Sequence, residues 1–229
     1  MPFRGRARFA AIATGVALLV LPFFLIVSSA DVRSAAERVA PGARAPNLLP
    51  MPLVSQGWPW TCGGAALMSA LLYFGVFDGS ESRLDEEMGA TPDAGTRVVS
   101  IVAEARRFGL SAEARTGLTP AGLAHELARG AVVIVALQAW ATAPVADWRT
   151  HWEDGHYVVI VGFDSDRVYV MDPSIRTGYG FLPRDQFLER WHDYDLEEDN
   201  RRVVYDRLGI VIQGEKGLAR YPAEPVPVE

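Results

Sequence analysis

Cysteine occurs once in the 229 residues, at Cys62. That excludes an intramolecular disulfide and any Cys-x-x-Cys zinc or redox motif. Positive charge is also scarce: Lys and Arg number 22 against 28 Asp and Glu, a net of −6. Three of those bases (Arg4, Arg6, Arg8) fall in the first 30 residues, which hold no acid, so the remainder carries −9. Binding to nucleic acid rests on clustered Lys and Arg that neutralise phosphate, and an acidic body of this kind excludes nucleic acid as a partner. Histidine is limited to four positions. With no paired cysteines and no close histidine cluster, His151 and His156 included, neither a metal nor another cofactor is expected. There is no internal repeat and no low-complexity tract.

A composition of 49% hydrophobic and 22% charged residues suits one globular domain with a substantial core. Residues 9–27 are uncharged, long enough at about 1.5 Å per residue to approach the roughly 30 Å of a bilayer core. Ser28, Ser29 and Ala30 follow with the small side chains of a cleavage site. Residues 1–30 therefore read as a signal anchor or a removed signal peptide. The arginines hold the N-terminus in the cytoplasm, which places the body outside the plasma membrane, single-pass and tethered, or else secreted or periplasmic. Residues 31–50, rich in Ala, Arg and Pro, read as a linker, 51–213 as the folded domain and 214–229 as a Pro-rich unpacked tail.

Within the domain, Thr61 opens an apolar helix, CGGAALMSALLYF, with Gly75 as its stop, and Thr96 to Phe108 repeats apolar residues at helical spacing up to Gly109. PAGLAHELA forms a shorter helix ended by Gly130. Strand signals follow at Ala131–Gln138, His156–Phe163 and Arg167–Asp172, the last two joined by a turn at Asp164–Asp166, with a final strand around Leu208–Ile212. Helices first and antiparallel strands later predict an α+β domain with helices on one side of a sheet.

Cys62 falls at a helix N-terminus, where unpaired N–H groups and the dipole favour a thiolate, and an unpaired cysteine in an oxidising exterior reads as a reactive thiol. The alternative is a small buried hydrophobe. Gly63 and Gly64 remove side chains that would crowd an incoming carbonyl. Gln56, six residues upstream, is a candidate oxyanion donor, against a plain surface glutamine. Of the histidines, His125 lies within a helix, His192 in a charged stretch and His151 in a loop, whereas His156 opens a strand and is the candidate base. Asp172 ends the next strand and is the candidate orienting acceptor, against a turn-forming Asp before Pro173. Trp58, Trp60 and Trp140 serve either a substrate groove or the core. The acidic run Asp195–Asp199 reads as a solvated face.

Together, QGWPWTCGG with the helix AALMSALLYFG, VVIVAL, GHYVVIVGF, VYVMDPS and GYGFLPRDQFLERW resemble the bacteriocin-processing cysteine peptidases, the papain-like domain of exporters that trim double-glycine leaders. The resemblance runs from about Met51 to Trp191. It implies a papain-like fold and a peptide or protein substrate, with Cys62 as nucleophile, His156 as base and acid, Asp172 as orienting residue and Gln56 as oxyanion donor; Trp58, Trp60, Gly63 and Trp140 are candidates for contact with substrate. A peptide-binding module on the same scaffold, or a thiol acyltransferase or amidase of the cell envelope, are the competing expectations.

Overall fold

The structure is a computed structural model and describes residues 48–197, 199, 201–215 and 226–227. The expected signal segment and nearly all of the linker and tail lie outside the described residues. Among the described residues no helix is long and apolar enough to cross a membrane.

Three helices come first: α1 (Cys62–Tyr73), α2 (Glu81–Met88) and α3 (Val98–Arg107). Strand β1 (Ser111–Arg115) and helix α4 (Pro120–Ala128) lead into β2 (Val132–Gln138), β3 (Gly155–Phe163), β4 (Arg167–Met171) and β5 (Gly180–Pro183). Helix α5 (Arg184–Arg190), the hairpin β6 (His192–Leu196) and β7 (Arg202–Asp206), then β8 (Gly209–Gln213) and β9 (Val226–Pro227) complete the order. The main sheet runs β1-β8-β2-β3-β4-β5-β9 and is antiparallel except for the β5 and β9 pair, while β6 and β7 form a sheet of their own.

Helix α1 ends where a left-handed residue is needed. Gly75 takes φ 68°, and the Gly75 and Val76 N–H groups return to the carbonyls of Leu72 and Leu71, closing the last turn. Thr61 stands at the N-cap position but does not cap with its side chain. Its hydroxyl instead meets Glu81 Oε1 at 2.7 Å, tying the start of α1 to α2.

Alternation along the strands sends Val132, Ile134, Ala136, Val159 and Ile210 to one face, where α1, α2 and α3 pack. Val133, Val135, Leu137, Val158, Ile160 and Val170 point to the other face, which is not left to water: Leu123 of α4, Phe187 of α5 and Trp191 close over it. Helices thus cover both faces, where the sequence order suggested one. The signal was present in β2, whose seven residues are all buried: a continuous apolar run, rather than an alternating one, belongs to a strand covered on both sides. Leu48–Pro50, assigned to the linker, also join the fold. Leu49 N–H donates to Val161 O at 2.7 Å, and Tyr179 OH donates to the carbonyls of Leu49 and Met51. Val226–Pro227, assigned to an unpacked tail, pairs with Gly180–Phe181 at the sheet edge.

Leu67 sits on α1 with no exposure at all. Leu67→Ala is expected to cost about 2–5 kcal/mol in urea unfolding, and Val204→Ala, on the exposed side of β7, less than about 0.5 kcal/mol.

Candidate active site

The site forms where α1 begins, β3 begins and β4 ends. His156 is the second residue of β3 and shares a face with Val158 and Ile160. Asp172 follows β4 on the face of Val168 and Val170, so strand alternation alone puts both side chains on one side of the sheet. The β3–β4 turn holds this register: Asp164 accepts from the N–H groups of Asp166 and Arg167 at 2.8 and 2.7 Å and from Tyr169 OH at 2.6 Å. His156 Nε2 then meets Asp172 Oδ1 at 2.7 Å.

Asp172 is fully buried. Oδ1 also accepts from Ser174 N–H at 2.8 Å, and Oδ2 accepts from the indole N–H of Trp140 at 3.1 Å. Burial works against the charged carboxylate, but the His156 charge and these donors outweigh it and hold Asp172 below its usual range. At His156 burial likewise favours the neutral ring, yet the Asp172 charge and hydrogen bond, with a further hydrogen bond from Cys62, raise it to about 10. Since Nε2 serves Asp172, the ring nitrogen left for the sulfur is Nδ1. The structure therefore brings Cys62, His156 and Asp172 into one chain of contacts, with the thiol buried at the first residue of α1.

Gln56 joins them from the loop before α1. Its N–H donates to Pro173 O at 3.1 Å and its Oε1 accepts from Ser174 Oγ at 3.2 Å, which docks the loop onto the segment after Asp172. Nε2 donates to Trp58 O at 3.0 Å. Glu81 clamps the same loop through Gly57 N–H and the Thr61 hydroxyl, a role with no signal in the sequence.

Of the expected substrate contacts, Trp58 is 63% exposed and stacks on Trp60, ring centroids 5.3 Å apart. Trp58 borders a hollow with Gln56, Trp140 and His156, and Trp60 borders a second hollow with Cys62. Trp140 has a role besides lining: it holds φ 63° and grips Asp172. Gly63 departs from expectation. It is buried, and a Cβ there would meet Thr96 Cβ at 2.6 Å; at Gly64 a Cβ would meet Asp85 Oδ1 at 1.9 Å. These glycines admit neighbouring segments against α1 rather than clearing space for a carbonyl.

His192 is buried, with Nε2 2.8 Å from His151 O, and takes a structural position. One further expectation is corrected. The acidic run is not a uniformly solvated face: Asp195 is buried and accepts from Val98 N–H and Tyr205 OH, whereas Asp199 is exposed.

With this geometry established, the comparisons decide the family. The model described as the Peptidase_C39 like family matches residues 48–196. The chain belongs to that family. Among solved structures, the C39-like chain is similar to the peptidase domain of Streptococcus ComA, a bi-functional ABC transporter involved in a quorum sensing pathway. That similarity has TM-score 0.51 and 19% identity, covering 71% of this chain and 98% of that one. It is also similar to a putative C39-like peptidase from Bacillus anthracis, with TM-score 0.51 and 17% identity over 72% of this chain and 96% of that one. At these identities the likeness establishes the fold. No curated protein matches the chain by sequence.

The packing account of the paired glycines is testable by a double-mutant cycle. Gly64→Ala is expected to lower unfolding stability by about 1–3 kcal/mol, and to become neutral or stabilising in an Asp85→Ala background, where helix propensity alone remains.

Proposed function

We propose that the chain is an active cysteine peptidase that hydrolyses peptide bonds through an acyl-thioester on Cys62. The observation that carries this reading is the buried His156 Nε2 to Asp172 Oδ1 contact of 2.7 Å, which leaves the other face of the ring for Cys62. Membership of a peptidase family supports the reaction class.

In the proposed cycle the thiolate of Cys62 attacks the scissile carbonyl carbon, forming a C–S bond and placing the carbonyl electrons on oxygen. The Cys62 N–H and Gln56 Nε2 receive that oxyanion. As the intermediate collapses, imidazolium His156 gives its proton to the departing amine and the C–N bond breaks. A water molecule then attacks the thioester; neutral His156 takes its proton, the C–S bond breaks and the resting pair returns. Asp172 stays ionised throughout, fixing the ring and stabilising its positive form. On this reading residues 9–27 hold the enzyme at the outer face of the plasma membrane, or are removed on export.

Cys62→Ala is expected to abolish cleavage of a peptide library, and His156→Ala to lower kcat/KM by about 100- to 10,000-fold. The wild-type rate should fall in base as His156 loses its proton at about 10. Intact-mass analysis of the products checks the reaction type: hydrolysis adds one water, whereas a product joined to a second amine means acyl transfer. Cleavage that survives Cys62→Ala contradicts the proposal.

A further inference from the structure

Beside the nucleophile lies a hollow of about 220 Å³ that borders Cys62 but not His156. This is smaller than the roughly 300 Å³ typical of the smallest whole-ligand sites and suits one long side chain. Four carboxylates line it, Asp93, Glu153, Asp193 and Asp195, with Trp60 and Trp152 among the aromatic walls, and no Lys or Arg is among the lining residues. Arg97, whose charge acts on Asp195, is paired with Glu197 at 3.8 Å.

Two buried polar side chains on this wall keep hydrogen-bonding capacity unused among the described residues. Asp193 is 9% exposed; its Oδ1 accepts from Gln138 Nε2 and Tyr194 N–H, but its Oδ2 accepts from nothing. Thr96 is 3% exposed and its hydroxyl is unpartnered. Asp193 is thus a buried carboxylate that no lysine or arginine of the lining faces; the His156 charge favours its ionised form, but burial outweighs it and, with the Asp195 charge, pushes Asp193 up to about 7. Gly155, between the two hollows, leaves room for this carboxylate: a Cβ there would meet Asp193 Oδ2 at 2.6 Å.

The direction of a bound peptide follows from the proposed chemistry. His156 protonates the leaving amine, so the hollow holding His156, Gln56 and Trp140 takes the leaving half. The hollow that borders Cys62 alone takes the acyl half. We propose that this acidic hollow binds a lysine or arginine side chain of the acyl half of the substrate, within two residues of the scissile bond. The aliphatic stem lies along the indole rings and the charged head meets Asp193 Oδ2, completing the hydrogen bonding that the fold leaves open. The side of the cut rests on the peptidase reading; the cation preference does not.

The test uses N-acetylated hexapeptide pools, each with one position fixed as Arg, Lys, citrulline or Glu. Binding is measured to the full chain carrying Cys62→Ala, and cleavage by wild type is followed separately. At one position Arg and Lys pools should bind at least about ten-fold tighter than citrulline, which keeps the shape and loses the charge, with Glu weakest. Asp193→Asn in the same background should bring the Arg-to-citrulline ratio below about three. Asp93→Asn, at an exposed position where folding is not at stake, should lower it in the same direction. Equal binding of Arg and citrulline pools, or a preference unmoved by both substitutions, overturns the proposal even if wild type cuts the peptides. Cation-selective binding with no cleavage by wild type sustains the hollow and removes the peptidase reading.

Discussion

The buried charge pair of His156 and Asp172 is the constraint around which the site is built. Removing both groups from water is costly, and a pair like this persists only when further hydrogen bonds satisfy the remaining lone pairs. Here Ser174 N–H and the Trp140 indole supply them. Asp172 is thereby fixed, the imidazole is fixed by Asp172, and the ring edge offered to Cys62 is decided before any substrate arrives. The left-handed backbone at Trp140 is a local strain that aims the indole at Asp172, and strain of this kind concentrates at functional sites.

The rest of the molecule holds the thiol where that ring can use it. An apolar helix packed on the sheet sets the height of Cys62, and Gly63 and Gly64 let Thr96 and Asp85 come close enough to lock its first turn. Glu81 and the residues after Asp172 grip the Gln56 loop from two sides. Gln56, Cys62 and His156 therefore come from three segments that are each held by contacts outside the site, the kind of support that the proposed chemistry requires.

Much of this was legible in the sequence. The strands β2, β3 and β4 were bounded to within a residue or two because β-branched runs between turn residues have few other uses, and the turn at Asp164 gave the pairing that sets Asp172 near His156. What was missed depends on contacts distant in sequence. Helix α2 is short and highly charged, so its apolar face was too narrow to notice. Strands β6 and β7 carry charges that packing, not pattern, accounts for, which is why the burial of Asp195 has no signal in the acidic run. Gly63 suggests room for an incoming carbonyl, whereas the group it admits is Thr96, 33 positions away. Trp140 offered rings and an N–H alike, and only the fold reveals that the N–H reaches Asp172.

The most direct measure of the central pair is nitrogen NMR of His156 in the full chain, labelled at the imidazole nitrogens and titrated with pH. The account predicts a ring that remains doubly protonated through neutrality, loses a proton at about 10, and titrates at lower pH in Asp172→Asn. A His156 that titrates at or below the ordinary value of about 6.5, and is indifferent to Asp172→Asn, would contradict it.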